Sequence, residues 1–117
     1  KVVASKENVI EVQNYLSSVR ISDDVLKYIV LLCEKTREKA LVELGVSPRG
    51  VLALVQMAKA HAVLEDRIYV IPEDVQDVFI DVCAHRMVLR PQARVEGVDA
   101  RDILNEILAE VKPPLAD

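Results

Sequence analysis

Three consecutive residues, Ser47, Pro48 and Arg49, have the types and spacing to hold an anion at the start of a helix. Ser47 is a favoured N-cap, because its hydroxyl can accept a hydrogen bond from a free backbone N–H one turn further on. Pro48 falls at the first helical position, where a missing N–H costs nothing. Arg49 then places a permanent positive charge at the positive end of the helix dipole. This position is poor for stability alone, but it suits a phosphate that binds there.

The composition predicts a single helical domain. The chain has 117 residues, of which 51% are hydrophobic and only 3% aromatic, with three glycines. A core of aliphatic side chains favours packed helices over a β-sandwich or barrel. The net charge of −4 argues against a general nucleic-acid binder. Arg86, Arg90, Arg94 and Arg101 form a sparse basic stretch, which we interpret as a solvated edge rather than a nucleic-acid site.

The cysteines and the start of the chain bear on its cellular setting. The sequence begins with Lys1 and has no apolar run of about 18–20 residues, which predicts no membrane span and a piece of a longer protein. Cys33 and Cys83 lie in apolar helical patterns, which favours buried thiols in a reducing cytoplasm over a secreted disulfide.

The two histidines are predicted to have structural roles. A zinc site formed by them and the cysteines is disfavoured, because the sequence has no Cys-x-x-Cys and no His-x-x-x-His pair. His61 precedes Glu65 by four residues, which is the spacing of a side-chain pair on one helix face. His85 and Arg86 are interpreted as the end of a helix, where positive charge suits the dipole.

Apolar residues spaced three and four apart predict five helices. These cover 6–18, 22–38 and 47–65, followed by one helix from Pro72 and one from Asp99, with caps at Ser5, Ser22, Ser47 and a box of Asp99 with Asp102. The third helix is apolar on almost every side, which predicts a central position. The segments 19–21 and 68–71 are predicted to pair as a two-strand ribbon, and 89–97 is predicted to be irregular because of Pro91.

The order of these elements resembles the helical lid domain of an AAA+ ATPase and, more narrowly, that of the MoxR family. The match spans nearly the whole chain and is carried by Thr36-Arg37, Leu44-Gly45-Val46-Ser47-Pro48-Arg49, Leu52-Ala53-Leu54, Ala58-Lys59-Ala60, Arg67-Ile68-Tyr69-Val70, Pro72-Glu73-Asp74-Val75 and Ala84-His85-Arg86. The resemblance implies an all-α fold, a five-helix lid-type bundle with a minimal two-strand ribbon. Residues 1–117 would form the C-terminal lid of a protein whose nucleotide-binding α/β domain lies outside this chain.

In such ATPases the lid closes over bound ATP, and the resemblance implies that Arg49 is the second sensor arginine. Ser47 and Pro48 would complete the helix start that meets the nucleotide. The resemblance implies ATP with Mg²⁺ in the full-length parent. This chain has no Gly-x-x-x-x-Gly-Lys-Ser/Thr sequence, so it is not expected to bind ATP tightly or to hydrolyse it alone. Two residues depart from the family pattern: Ile71 offers no side-chain cap to the fourth helix, and Gly50 stands where alanine is more usual.

The resemblance also implies partners, and two other classes of function remain. The partners would be the N-terminal AAA+ core, neighbouring subunits of a homo-oligomeric ring, expected as a hexamer, and von Willebrand factor A domain proteins. The parent is then expected to be a cytoplasmic chaperone-like ATPase that does not bind nucleic acid. The first alternative is a free-standing helical adaptor for another protein. The second is a helical DNA-binding domain, which the acidic balance disfavours. For Arg49 itself, the alternative is a solvated arginine or one paired with a carboxylate.

Overall fold

The fold is known from a computed structural model that describes residues 6–115. The predicted cap at Ser5 lies outside the described residues. In chain order the elements are α1 (Lys6–Ser17), α2 (Asp23–Glu38), β1 (Val42–Leu44), α3 (Pro48–Leu64), α4 (Pro72–Cys83), a 3-10 turn (Ala84–Arg86), β2 (Val88–Leu89), α5 (Pro91–Glu96) and α6 (Ala100–Glu110). The predicted all-α class with a small two-strand ribbon is confirmed. Within the described range, no helix is long and apolar enough to cross a membrane.

Side-chain caps account for the starts of α2, α3 and α6. Ser22 accepts a hydrogen bond from the Val25 N–H at 3.2 Å. The predicted box at the start of α6 is confirmed, since Asp99 accepts from the Asp102 N–H at 2.9 Å and Asp102 accepts from the Asp99 N–H at 3.0 Å.

Helix α3 occupies the centre of the bundle and packs against α4, α2 and α1. Its buried stripe of Gly50, Leu54, Ala58 and Ala62 repeats every four residues, which is the spacing of one helix face. The small residues in this stripe allow close approach of the neighbouring helices. Helix α3 is thus central in its packing, but its neighbours cover one face rather than most faces, since Leu52 is 65% and Leu64 80% exposed.

The two-strand ribbon is formed by other segments than those predicted. Strands β1 and β2 pair antiparallel, with Val42 opposite Leu89 and Leu44 opposite Val88. The predicted partners, 19–21 and 68–71, meet only in a parallel bridge of Arg20 with Tyr69. That bridge consists of the Arg20 N–H donating to the Ile68 carbonyl and the Val70 N–H donating to the Arg20 carbonyl, both at 2.8 Å.

The segment 89–97 is more regular than predicted. It contains the short helix α5, which adds a sixth helix to the five predicted. Pro91 stands at the first helical position, where its fixed φ starts the helix rather than breaking it. Gly97 ends the helix in the left-handed region at φ 73°, which a residue without Cβ adopts readily.

A fully buried carboxylate, Asp74, joins the C-terminal end of α3 to the start of α4. Arg67 grips it with two hydrogen bonds, from Nη1 to Oδ2 at 2.6 Å and from Nη2 to Oδ1 at 2.8 Å. The Ile71 N–H donates to Oδ2 at 2.8 Å, and His61 Nδ1 lies 2.6 Å from Oδ1. This contact supplies the start of α4 with the polar partner that the Ile71 side chain cannot provide.

The predicted pairing of His61 with Glu65 is wrong. His61 turns instead toward α4, where Nδ1 contacts Asp74 and Nε2 lies 3.2 Å from Asp77 Oδ2. The physical reason is that two carboxylates compete for His61: Glu65 on its own helix and the buried Asp74 on α4. A charge that has lost its water binds a polar partner more strongly than a solvated one does.

Replacing Asp74 should be costly for stability. We expect Asp74→Ala to lower the free energy of unfolding by about 3 to 5 kcal/mol, because Arg67 and His61 lose the carboxylate on which they converge. The matched control is Asp77→Ala, which removes an exposed carboxylate from the same histidine and should cost less than about 1 kcal/mol. Urea unfolding of both variants measures the difference, and similar losses would show that Asp74 is not a structural hub.

The lowered pKa of Asp74 predicts that the fold loses stability in acid. Burial alone would raise the pKa of Asp74, but the hydrogen bonds from Arg67, the Ile71 N–H and His61 outweigh it and hold the pKa below its ordinary 3.8. The unfolded chain therefore takes up this proton at higher pH than the folded chain does. The stability that Asp74 contributes is complete above the unfolded value and is lost as the pH falls through the folded one.

Unfolding midpoints from pH 7 to pH 2.5 test this dependence, with Asp74→Asn as the comparison. The wild-type midpoint should fall more steeply below about pH 4 than that of the variant, in which this group no longer titrates. Parallel acid limbs in the two proteins would contradict the assignment.

Candidate functional site

The start of α3 has the geometry predicted for the segment Ser47–Arg49. Ser47 is extended at φ −78° and ψ 168°, and Pro48 is the first helical residue. The Ser47 hydroxyl accepts from the Gly50 N–H at 3.4 Å, which is long for a hydrogen bond. The N–H groups of this turn are therefore only weakly satisfied by the cap.

Arg49 lies exposed in that first turn. The first turn of α3 contains no acidic residue, whereas those of α2, α4 and α6 each carry at least one. Among the side chains that the structure describes (residues 10, 11 and 14–115), the Arg49 guanidinium forms no ion pair and no hydrogen bond. The alternative of an arginine paired with a nearby carboxylate is thus not observed within this range. The side chain is free to meet an anion that approaches the helix start.

Two neighbouring residues of α2 hold the backbone just before this helix. Thr36 is fully buried, and its hydroxyl donates to the Cys33 carbonyl while accepting from the Val46 N–H at 2.9 Å. Arg37 Nη2 donates to the Val46 carbonyl at 3.1 Å. Both backbone polar groups of Val46 are therefore fixed from α2. Since Val46 directly precedes the N-cap, these bonds decide where α3 begins.

A glycine makes this attachment possible. A Cβ at Gly45 would lie 2.6 Å from Arg37 Cγ, 2.7 Å from Thr36 Oγ1 and 2.9 Å from the Arg37 backbone nitrogen. Any larger residue would push β1 away from α2. The sequence at Gly45 thus reflects a close approach of two backbones rather than a flexible hinge.

Gly50, the departure from the family pattern, is also a packing position. A Cβ there would lie 2.5 Å from Val46 Cγ1 and 3.3 Å from Arg86 Cδ. The glycine therefore lets Val46 and the stem of Arg86 lie directly on the first turn of α3. This brings a second arginine, from the 3-10 turn, to the same helix start.

The other basic residues have different surroundings. Arg90 Nε donates to the Ala40 carbonyl at 3.1 Å, and its Nη1 lies 3.5 Å from Glu43. Arg101 pairs with Asp81 at 3.1 Å. Arg86 and Arg94 are exposed. The predicted basic edge is thus divided among local contacts, and only Arg86 among these four touches the start of α3.

The cysteines are both buried free thiols, as predicted. His61 is engaged by Asp74 and Asp77, and His85 is exposed on the 3-10 turn. The thiols of Cys33 and Cys83 lie within hydrogen-bonding reach of each other in the core, whereas the two histidines lie in separate surroundings. In the described part of the chain, no group of three or more potential ligands is placed to hold a metal ion.

Sequence reasoning found Ser47, Pro48 and Arg49 but missed the residues that position them. The roles of Thr36 and Arg37 depend on contacts with Val46, ten and nine residues away. The role of Arg86 depends on a contact with Gly50, 36 residues away in the sequence. The available signal was the presence of two glycines, Gly45 and Gly50, flanking the cap. Glycines at such places often mark close approach of a neighbouring group.

The arrangement at the start of α3 is suited to binding an anion. It offers a guanidinium on a rigid helix beside N–H groups that lack strong partners, which suits the oxygens of a phosphate. The sequence has no phosphate-binding loop of the Gly-x-x-x-x-Gly-Lys-Ser/Thr type. The charge and the hydrogen-bond donors of these residues are nevertheless suited to contact with a phosphate group.

The anchoring of Val46 leads to a prediction about Thr36. We expect Thr36→Val to lower the free energy of unfolding by about 1 to 3 kcal/mol, because the buried Val46 N–H loses its acceptor. Thr36→Ser keeps the hydroxyl and loses one methyl group, so it should cost only about 1 kcal/mol. Denaturant unfolding distinguishes the two. A serine variant less stable than the valine variant would show that packing, not the hydrogen bond, matters at this position.

Comparison with known proteins gives a consistent result. Residues 34–107 match the AAA lid domain family. The chain is 44% identical over 113 residues to the uncharacterized protein YeaC of Bacillus subtilis, covering 97% of this chain and 35% of that protein. It is 28% identical to the chaperone MoxR1 of Mycobacterium tuberculosis, covering 97% of this chain and 33% of the relative.

A solved structure agrees with these relatives. The crystal structure of a candidate ATPase from Cytophaga hutchinsonii superposes with a TM-score of 0.86 at 34% identity, covering 96% of this chain and 37% of that one. The chain thus spans about a third of the length of each of these proteins.

Proposed function

The chain belongs to the AAA lid domain family and has MoxR proteins among its relatives, and on that premise we propose that Arg49 is the second sensor arginine of a MoxR-like ATPase. In this proposal Arg49 contacts the terminal phosphate of ATP bound in the core domain of the parent protein. The observation that carries the proposal is an exposed, unpaired arginine, within the described residues, in the first turn of the central helix.

The electrostatics of the helix start support a phosphate ligand. Arg49, the helix dipole and the weakly capped N–H groups all contribute positive potential, and the first turn of α3 has no carboxylate to balance it. A guanidinium presents a planar pair of donors that matches phosphate oxygens. The residues present therefore fit the terminal phosphates of ATP, whose Mg²⁺ would be held by the core domain.

The anchoring of α3 suggests how a phosphate contact could become movement. The helix is tied to α2 through Val46 at its start and to α4 through Asp74 near its end. A pull on Arg49 would therefore be passed to the whole bundle rather than absorbed in one turn. Loss of the contact after hydrolysis would release the lid relative to the core. In this proposal the energy comes from ATP, and the rigidly held helix α3 transmits the change at the phosphate to the rest of the lid.

The wider biology of the parent is part of the same proposal. We expect the lid to pack against its own AAA+ core and against neighbouring subunits of a homo-oligomeric ring, a hexamer, in the cytoplasm. A chaperone role is suggested by the name of the mycobacterial relative. Von Willebrand factor A domain proteins are expected partners on the basis of the MoxR resemblance.

Substitution of Arg49 in the full-length parent tests the proposal. Arg49→Ala should reduce ATP turnover by at least about tenfold, because a charge-assisted contact with the phosphate is lost. The unfolding free energy of the chain should change by less than about 0.5 kcal/mol, since the side chain is exposed and forms no hydrogen bond or ion pair with the described side chains. Arg49→Lys keeps the charge but not the fork and should give an intermediate rate.

The control in this experiment is Arg101→Ala, which removes an exposed arginine from α6 and should leave turnover unchanged. Wild-type turnover and unchanged ATP affinity in Arg49→Ala would rule out the phosphate role. A fall in turnover accompanied by a loss of folded lid would also count against it, because Arg49 would then be a structural residue.

A further inference from the structure

We propose that Arg86 is a second cation of the same site and contacts the terminal phosphate together with Arg49. This inference rests on the proposed function of Arg49 and names an additional binding residue for it. Its starting point is the position of Arg86 at the beginning of α3, although the residue itself belongs to a different element.

The contact between Arg86 and α3 is defined by Gly50. The Arg86 Cδ lies 3.3 Å from the place that a Cβ of Gly50 would occupy. The aliphatic stem of Arg86 therefore rests on the first turn of α3, in which Arg49 is the preceding residue. Since the central carbon of the guanidinium is two bonds beyond Cδ, the charged group of Arg86 ends close to this turn.

The charge of Arg86 is not balanced locally. The residue is exposed, and it forms no ion pair or side-chain hydrogen bond with the described side chains, those of residues 10, 11 and 14–115. Its neighbours at the helix start are another arginine and the positive end of the α3 dipole, with no acidic residue in that turn. Two arginines therefore meet this helix start without a carboxylate partner among the described side chains, which is an arrangement that suits an anion. A multiply charged phosphate group would bind both.

A purely structural role for Arg86 would require only its positive charge and its aliphatic stem. The residue follows α4, and a cation at a helix C-terminus is favourable in itself. Lysine would serve that purpose equally, and its stem could also rest on Gly50. What lysine cannot supply is the planar pair of donors that binds two phosphate oxygens at once. The two roles therefore differ in what Arg86→Lys is expected to do.

The experiment measures ATP and ADP affinity of the full-length parent by titration, using Arg86→Ala, Arg86→Lys and the charge-matched control Arg101→Ala. Arg86→Ala should weaken ATP binding by about five- to tenfold, the loss of one charge-assisted contact. ADP binding should weaken much less, because ADP lacks the terminal phosphate. Arg86→Lys should recover part of the ATP affinity, and Arg101→Ala should match the wild type.

Thermal unfolding of the Arg86 variants identifies any effect on folding. The inference is overturned if Arg86→Ala binds ATP as the Arg101→Ala control does, or if ATP and ADP affinities fall equally. Full recovery by Arg86→Lys would likewise assign the residue to helix-end charge rather than to phosphate. Failure of Arg49→Ala to affect ATP would remove the proposed function itself, whereas an effect of Arg49→Ala without one of Arg86→Ala removes only this inference.

Discussion

The pair of hydrogen bonds that α2 makes with Val46 is the constraint on which the rest of the structure depends. The Thr36 hydroxyl accepts from the Val46 N–H, and Arg37 donates to the Val46 carbonyl. The backbone just before the N-cap is therefore held in one conformation. The direction in which α3 leaves β1 is thereby fixed, and Arg49 is fixed with it. These bonds require a glycine at position 45, because a Cβ there would push the backbone of this segment away from that of α2. The candidate site is therefore formed by α2 as much as by α3.

Features governed by neighbouring residues could be predicted from the sequence. The start of α3 at Ser47 and Pro48, the box of Asp99 with Asp102 and the buried cysteines all follow from local patterns. Pro91 shows how such a rule can be applied in the wrong sense. As a helix breaker, Pro91 predicts an irregular segment, but it stands at the first position of α5, and the left-handed Gly97 ends that helix.

Features set by long-range contacts could not be predicted. The partner of β1 lies more than 40 residues away, and two short segments give no indication of which strands will meet. His61 had a plausible partner on its own helix, but the buried Asp74 on the next helix binds it instead. The contact of Arg86 with Gly50 belongs to the same class, because it depends on how the end of α4 returns to α3.

In the proposed role, this lid domain works together with a nucleotide-binding core in the same parent protein. An arginine on a stiff helix can bind a phosphate, but a ligand shifts a conformational equilibrium only by its difference in affinity for the two states. A contact with the terminal phosphate exists before hydrolysis and not afterwards, so it provides such a difference. The lid would then respond to the state of the nucleotide without taking part in the cleavage itself.

A structure of the full-length parent with a non-hydrolysable ATP analogue tests the central claim most directly. The distance to measure joins the guanidinium nitrogens of Arg49 to the oxygens of the terminal phosphate. The account predicts a charge-assisted hydrogen bond of about 2.7 to 2.9 Å, with α3 still held at Val46. An Arg49 that points to solvent or pairs with a carboxylate while the lid is closed over the nucleotide would contradict it.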